Sequence, residues 1–386
     1  MEDEEILEEF ITSRNLSESS RRAYSDAISV YTEFHGKSMK TLLTEAEVEE
    51  ERGIRSKHRK LKKRLINYRN HLQNNYKKNT VKIRFGAIKT IYRHYEIEIP
   101  NLPVLNHRQT ITPPPLRHSD LLSKEEIKQA LKYTTPIMRA LILFMSSSGC
   151  GRAEALSLTI QDFVEATKDY HNKKDIYEVI PILKERNDIV PLFYLTRIKT
   201  NKEYYTFCSP EAVEEILNYL LTIETPLMPN TPLFQIHKDS IIVIMQRINN
   251  ALNFGSAGGH TRFRSHMLRK FHASSLLNVG FSEAEVDTLQ GRSKDNVHRA
   301  YFFDDPQKLR EKYIENMNAI TINLDVNNID IKSPEYIQLE TESKEKDEKI
   351  KDYEEIFDKW DETMKNVEEK GKFLDDQLKK MKQIFK

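Results

Sequence analysis

The stretch HMLRKFHASSLLNVGFSEAEVDTLQGRSKDNVHRAY, residues 266–301, decides how the rest of the chain is interpreted. His266 and Arg269 stand three residues apart at the predicted start of a helix, so their side chains lie on one face. An Arg presents a planar fork of donors that matches phosphate oxygens. An apolar helix and a turn follow, then Arg292, and Tyr301 comes nine residues later. Because a phenol oxygen can form a covalent intermediate, the stretch predicts a phosphate site with a nucleophile.

Length and composition bound the class of protein. The chain has 386 residues, enough for two or three domains, and its 11 glycines and long helical periodicities predict a mainly α fold with a small antiparallel β-sheet. Two cysteines provide neither a disulfide framework nor a zinc set, which favours a reducing compartment. The acidic N-terminus lacks the features of a signal peptide, and no apolar run approaches the roughly 18 residues of a membrane span. We therefore expect a cytoplasmic protein without a membrane partner.

The charge is unevenly distributed. Residues 52–95 contain 15 Lys or Arg and no Asp or Glu, although the net charge of the chain is only +1. Apolar residues at helical spacing within this basic block predict two amphipathic helices. A solvated face is the alternative, but ordinary solvated helices mix both signs of charge. The block therefore favours binding to a nucleic-acid backbone. The candidate DNA-binding residues are Arg55, Lys57, Arg59, Lys60, Lys62, Lys63, Arg64, Lys77, Lys78, Lys82, Arg84 and Lys89.

Proline placement predicts the main domain boundary. Residues 98–118 hold five of the chain's 14 prolines, which indicates a semi-rigid linker. We predict a helical DNA-binding domain at 1–100, a linker at 101–118, a second domain at 119–325 and a helical tail at 334–386. Apolar residues of the tail alternate at spacings of three and four from Ile350, which is typical of a coiled coil. A single helix that folds back on the body is the alternative.

The second domain shows distinct element signals. A capping box, Ser123-x-x-Glu126, predicts a helix start, and the apolar run after Pro136 predicts a buried helix that ends near Gly149. Arg152 follows at the start of the next helix, where backbone amides favour an anion, although a glutamate-paired or surface Arg is equally compatible with the spacing. Three β-branched and aromatic runs predict strands, and two later runs predict helices. The predicted strands are 176–182, 189–195 and 203–208, the last two flanking a basic hairpin, and the helices are 210–221 and 239–253.

The motif resembles that of the tyrosine recombinases, the phage-type integrases, in an archaeal-like form. The family pattern R-H-T-F-A-x-x-L-L-x-x-G corresponds here to Arg269 through Gly280, and Tyr301 lies at the family's distance from Gly291-Arg292. The resemblance covers roughly residues 1–320. It implies a helical core-binding domain of the SAM-like type and a mixed α+β catalytic domain. The coiled-coil-like helix predicted at the C-terminus lies beyond the region of resemblance.

The first family Arg departs from the usual pattern. The family has Thr-Gly-Leu-Arg-x-x-Glu-Leu, whereas this chain has Ser-Gly-Cys-Gly-Arg-Ala-Glu-Ala at 148–155. Aligning Gly149 and Glu154 puts Gly151 at the Arg position, and Arg152 comes one residue late. We expect Arg152 to fill the role through a reshaped turn.

The other family residues can be carried over by position. The catalytic Lys lies in a β-hairpin, and Lys199 matches it best, with Lys202 as the second choice. The usual His or Trp before the nucleophile is Arg292 here. The resemblance thus implies Tyr301 as nucleophile, with the set completed by Arg152, Lys199, His266, Arg269 and Arg292.

The implied function is site-specific recombination, in which DNA strands are cleaved and rejoined through a 3′-phosphotyrosyl intermediate. Integration or excision of a mobile element is the expected role. The expected partners are double-stranded DNA, three further copies of the chain in a homotetramer, and an accessory recombination-directionality factor, without a metal or another cofactor. The expected location is the nucleoid. The alternatives are a DNA-binding protein of this fold with impaired catalysis and a strand-relaxing enzyme like the type IB topoisomerases.

Overall fold

The computed structural model describes residues 2–104, 111–112, 114–292 and 305–323, with isolated positions between 339 and 370. The chain divides into two compact units, Met1–Pro115 and Leu116–Lys386. The division falls inside the predicted linker. The roles assigned to the domains from sequence remain predictions.

The first unit is helical in its described part. Its helices are α1 (Glu2–Ser13), α2 (Glu18–His35), α3 (Met39–Glu51), α4 (Lys60–Asn75) and α5 (Lys78–His94). Ser17 and Ser38 cap α2 and α3, each accepting a hydrogen bond from a backbone N–H of the first turn. Gly36 ends α2 in the left-handed conformation at φ +60°.

The basic block forms α4 and α5, whose apolar faces pack into the core of this unit. This confirms the two predicted amphipathic helices. Tyr31 of α2 and Tyr92 of α5 are fully buried, and their hydroxyls share a hydrogen bond of 3.0 Å. The buried residues contributed by α4 and α5 include Leu61, Leu65, Tyr68, Leu72, Val81, Phe85, Ile88, Ile91 and Tyr92.

In its described part, the second unit combines helices with two small hairpins. Its helices are α6 (Lys124–Leu131), α7 (Pro136–Ser148), α8 (Arg152–Ser157), α9 (Ile160–Ala166), α10 (Ile176–Lys184), α11 (Pro210–Leu220), α12 (Lys238–Ala251), α13 (Ser265–Asn278), α14 (Glu283–Leu289) and α15 (Pro306–Glu315). The Ser123–Glu126 capping box is present at the start of α6, as predicted. The mainly α fold with small antiparallel sheets agrees with the fold class expected from the sequence.

Helix α7 lies at the centre of this unit. Every residue from Ala140 to Ser148 is buried, and α11 and α13 pack against it. The prediction of a buried helix is thus confirmed. Because α13 carries His266 and Arg269, this packing brings the C-terminal end of α7 beside the motif that opened the sequence analysis.

Both hairpins of this unit that the structure describes are antiparallel. Strands β1 (Leu192–Arg197) and β2 (Lys202–Phe207) pair with Leu192 opposite Phe207 and Arg197 opposite Lys202, so the predicted basic hairpin is present. Strands β3 (Ser256–Ala257) and β4 (His260–Thr261) form a second hairpin directly before α13.

The predicted strand at 176–182 is wrong, because this segment is part of α10. Asp175 caps the helix by accepting from the N–H of Tyr177 at 3.1 Å. Four buried residues follow helical spacing, namely Ile176, Val179, Ile180 and Leu183. Burial of this apolar stripe outweighs the β-propensity of the individual residues and the hydrogen bond that Pro181 removes from the helix interior.

Two further expectations concern residues outside the described part. Tyr301 falls there, as do most positions of the coiled-coil pattern in the tail. Within the described residues, every helix is too short or too polar to cross a lipid bilayer.

Candidate active site

One cavity of the second unit brings together three of the predicted catalytic residues. It has a volume of about 470 Å³ and is lined by the start of α8, one face of α12 and the segment from β4 to α13. Arg152, His266 and Arg269 all line it, together with Arg264. No Asp or Glu is among the lining residues, all of which lie in the described part of the chain. The cavity is therefore suited to an anion.

The Arg269 side chain is held by two backbone carbonyls. Its Nη1 donates to the carbonyl oxygen of Gly149 at 2.9 Å, and its Nη2 donates to the carbonyl oxygen of Gln290. Burial lowers the pKa of Arg269 from its ordinary value. An Arg has five N–H donors in a fixed fork, so donors beyond these two remain for a ligand in the cavity.

Gly149 makes the close approach of α7 to α13 feasible. It ends α7 at φ +66°, in the left-handed region that favours glycine. A Cβ at this position would lie 2.4 Å from Nδ1 of His272, which is closer than real Cβ contacts come. The Gly149 carbonyl is thereby available to Arg269.

Arg152 lies at the first helical position of α8 and lines the same cavity as Arg269. Its side chain has no hydrogen bond or ion pair within the described part of the chain. The turn that displaces it by one residue from the family pattern still leaves its guanidinium beside the cavity. Its assignment as the first family Arg stays a prediction that this placement supports.

His266 lines the cavity, with part of its surface open to solvent and part of it buried. Partial burial lowers the pKa of His266, and the nearby cations Lys270, Arg264, Arg269 and Arg292 lower it further. The neutral imidazole is therefore favoured at neutral pH, in which form one ring nitrogen can accept a proton.

Arg292 is close to this cluster but is not among the lining residues. Its Nη1 lies 3.3 Å from Oδ1 of Asp287 in a partly exposed ion pair. The preceding residue, Gly291, accepts a hydrogen bond from Nη1 of Arg197 at 2.6 Å. Arg197, at the end of β1, thus connects the hairpin to this turn, a contact that the sequence analysis missed.

The two hairpin lysines are outside the cavity. Lys199 is exposed in the turn between β1 and β2, and Lys202 begins β2. Neither residue lines the cavity. The structure therefore does not bring the predicted catalytic Lys to the cluster, and the role of Lys199 remains a sequence prediction.

The helix that follows the Tyr301 segment is fixed to the same unit. Arg310 of α15 is fully buried and pairs with Asp169 at 2.6 Å. The Tyr313 hydroxyl donates to the carbonyl oxygen of Ser147 in α7 at 2.8 Å. The described residues on this side of Tyr301 are thus anchored to the unit that carries the cavity.

Ten of the twelve candidate DNA-binding residues fall into two groups. Arg59, Arg64 and Arg84 have side chains only 12%, 15% and 14% exposed and form ion pairs with acidic residues of other helices or of the chain after α5. They are already engaged inside the unit. The other group is exposed or half-buried and forms no ion pair with a carboxylate among the residues that the structure describes. It comprises Arg55, Lys57, Lys60, Lys62, Lys63, Lys78 and Lys82.

The two remaining candidates of the basic block, Lys89 and Lys77, belong to neither group. Lys89 lies over the Phe85 ring, with Nζ 5.1 Å from its centroid, and burial lowers its pKa. Lys77 is exposed just before α5. Among the described residues, no group of His, Cys, Asp or Glu side chains is arranged to hold a metal ion.

Residues 120–308 match the family model described as the phage integrase family. This match identifies a phage integrase family domain in the chain, and with it a tyrosine-type site-specific recombinase. The matched region spans the cavity, the β1–β2 hairpin and Tyr301. No curated protein matches the chain significantly in sequence.

Several solved structures resemble the chain. The XerA recombinase is 18% identical, with 81% of this chain and 97% of that chain covered and a TM-score of 0.32. A lambda integrase (75–356) dimer bound to a COC′ core site is 14% identical, with coverage of 77% and 95% and a TM-score of 0.48. The Tn1549 transposon integrase in complex with transposon right end DNA is 10% identical, with coverage of 81% and 98% and a TM-score of 0.48. The family assignment rests on the sequence match, because these TM-scores are all low.

Proposed function

We propose that this chain cleaves and rejoins double-stranded DNA through a covalent 3′-phosphotyrosyl link at Tyr301. The observation that carries the proposal is the cavity lined by Arg152, His266 and Arg269, without a carboxylate, inside a phage integrase family domain. The biological role we assign is integration or excision of a mobile element.

The chemistry fits the charges of the cavity. A phosphodiester is anionic and gains negative charge as the phenol oxygen of Tyr301 attacks phosphorus. Arg152 and Arg269 would bind the non-bridging oxygens, and preorganised donors of this kind are often the largest contribution to catalysis. The P–O3′ bond is kept, a P–O(Tyr) bond forms and the P–O5′ bond breaks.

Two protons must be transferred in this step. The phenol loses its proton as it attacks, and neutral His266 can accept a proton at a ring nitrogen. The leaving 5′-oxygen gains a proton, for which Lys199 is the candidate acid from the family pattern. Rejoining is the reverse, in which a 5′-hydroxyl attacks the phosphotyrosyl link, so the bond energy is conserved without a nucleotide cofactor.

The proposal is tested by trapping the covalent link. A pool of nicked duplexes with randomised sequence around the nick lets a short 5′-hydroxyl product diffuse away after cleavage, which prevents rejoining. We expect a denaturation-resistant protein–DNA adduct whose peptide map places the link on Tyr301. No adduct from the pool would favour a DNA-binding protein without catalysis. Adduct and plasmid relaxation without strand exchange between two duplexes would favour the topoisomerase-like alternative.

The proposed partners follow from the charges of the first unit and from the reaction. Exchange of strands between two duplexes needs several active sites, so we propose a homotetramer on DNA. An accessory recombination-directionality factor and a nucleoid location belong to the same proposal. The exposed lysines of the basic block would bind phosphates and make the affinity fall with salt.

Reversing two of these charges is expected to weaken DNA binding. Lys62 and Lys63 of α4 form no ion pair with a carboxylate within the described part of the chain, so Lys62→Glu with Lys63→Glu removes two phosphate contacts without breaking an internal pair. The slope of log K against log salt should flatten by about two, roughly one per lost contact. Titrations of one duplex at several salt concentrations measure this change.

The matched control carries the same change of charge elsewhere in the first unit. Arg14 and Arg22 are both exposed and lie outside the basic block, so Arg14→Glu with Arg22→Glu should leave the salt slope nearly unchanged. Equal slopes for both double variants would mean that the basic block is a solvated face.

A further inference from the structure

We infer that His272 and Gln290 are a buried pair of positioning residues that orients the Arg269 guanidinium toward the cavity. The inference rests on the proposed function, since it assigns how one member of that site is held. Both residues are fully buried. His272 lies three residues after Arg269 on α13, and Gln290 directly follows α14.

Gln290 holds Arg269 from two sides. Its side-chain Nε2 donates to the backbone carbonyl of Arg269 at 2.9 Å, and its own carbonyl accepts from Nη2 of Arg269. Gln290 therefore binds both the backbone and the guanidinium of Arg269. A change at Gln290 would move the guanidinium relative to the cavity.

His272 fixes the orientation of the Gln290 amide. The Nε2 of Gln290 lies 3.0 Å from Nδ1 of His272 as well as within hydrogen-bond distance of the Arg269 carbonyl. A carbonyl can only accept, so the amide nitrogen must face it, and Nδ1 of His272 must then accept too. His272 is consequently neutral, with its proton on Nε2. Burial, aided by Arg269 and Arg292, lowers the pKa of His272 to about 3, which agrees with this state.

The same imidazole ring also determines where the second anchor of Arg269 lies. The ring packs so closely on Gly149 that a Cβ there would lie 2.4 Å from Nδ1. The Gly149 carbonyl is the acceptor for Nη1 of Arg269. One acceptor of the guanidinium thus belongs to Gln290 itself, and the other belongs to Gly149, against which the His272 ring packs.

The pair is poorly suited to a purely stabilising role. Nε2 of His272 and Oε1 of Gln290 are buried without a hydrogen-bond partner within the described part of the chain. Unpaired buried polar atoms destabilise a fold, whereas replacing both partners by apolar groups of similar shape is often neutral or stabilising. An apolar pair should therefore keep the fold but lose the orientation of Arg269.

The test is the double variant His272→Phe with Gln290→Leu. We expect unfolding at unchanged or higher denaturant, unchanged affinity for DNA, and an adduct rate lower by about tenfold to a hundredfold, the range that displacement of a catalytic group can cause. A second substrate carries a methylphosphonate at the scissile position and lacks one charged oxygen. On the stereoisomer that lacks the oxygen bound by Arg269, the adduct rate of the variant should be within a few-fold of the wild-type rate. Neither protein can make that interaction with this substrate.

A matched control is another buried pair of the same unit, in which a Thr contacts a His. Thr167 Oγ1 lies 3.0 Å from Nε2 of His171, and both side chains are buried. Thr167→Val with His171→Phe should leave the adduct rate unchanged. If the first double variant does not fold, Gln290→Met removes the amide donors at similar size and should give the same contrast between substrates.

Several outcomes would overturn the inference. One is that the double variant is slowed equally on the phosphodiester and on the methylphosphonate. Another is that it forms adduct on the phosphodiester at the wild-type rate. A third is a loss of stability that parallels the loss of rate, since that describes a structural pair. If wild type forms no adduct at all, the proposed function fails and the inference fails with it, whereas adduct formation by wild type isolates the inference.

Discussion

Tyr301→Phe is expected to leave no covalent protein–DNA adduct, while affinity for the same duplex is kept. The substitution removes only the phenol oxygen, which is the atom that would form the bond to phosphorus. Phenylalanine has nearly the same volume, so packing effects should be small. The measurement is adduct formation on the nicked substrate, resolved under denaturing conditions, beside a binding titration.

The control for this prediction is a second tyrosine of the same unit. Tyr194 of β1 is 65% exposed, and its hydroxyl makes no described hydrogen bond. Tyr194→Phe should form adduct at the wild-type rate. An adduct retained by Tyr301→Phe would show that another residue is the nucleophile and would remove the central element of the proposed site.

Arg269→Ala is expected to slow adduct formation by about a hundredfold to a thousandfold, the effect typical of losing one preorganised donor group at a developing charge. Arg269→Lys should also be slow, because a lysine keeps the charge but cannot bind two carbonyls and a phosphate in a fixed fork. Single-turnover rates at saturating protein separate this loss from any change in DNA affinity.

Stability must be followed in the same variants. Arg269→Ala leaves the carbonyls of Gly149 and Gln290 without this donor, which costs about 1–3 kcal/mol for a buried group left unpaired. Rates should therefore be measured well below the unfolding transition. Arg139→Ala, which removes a partly exposed ion pair to Glu215 on another part of the unit, is the control and should keep its rate. A rate for Arg269→Ala within threefold of this control would contradict the proposed role.

Local patterns were sufficient for most elements of the fold. The capping box at Ser123, the apolar run of α7 and the amphipathic faces of α4 and α5 each predicted an element that the structure contains. The segment that became α10 was misassigned because its residues favour strands individually. Its helical burial depends on neighbours that are distant in sequence, and tertiary packing decided the outcome.

The candidate site was likewise predicted from the sequence only in part. The i, i+3 spacing of His266 and Arg269 and the turn at Arg152 pointed to an anion site, and these side chains line one cavity. Nothing in the sequence pointed to Gln290, His272 or Arg197. Their contacts join a side chain to a distant backbone carbonyl or to another buried side chain, and such contacts leave no periodic pattern.

The basic block shows most directly what can be predicted from the sequence and what cannot. The sequence by itself determined that residues 52–95 are basic and helical, and that His266, Arg269 and Tyr301 stand at the spacing of a recombinase motif. Only the tertiary structure decided that Arg59, Arg64 and Arg84 pair with Glu50, Glu45 and Asp26 while Lys62 and Lys63 have no carboxylate partner among the described residues. The physical reason is that composition and periodicity are local properties of the chain. Which acceptor a guanidinium reaches depends on helices packed together from distant parts of it.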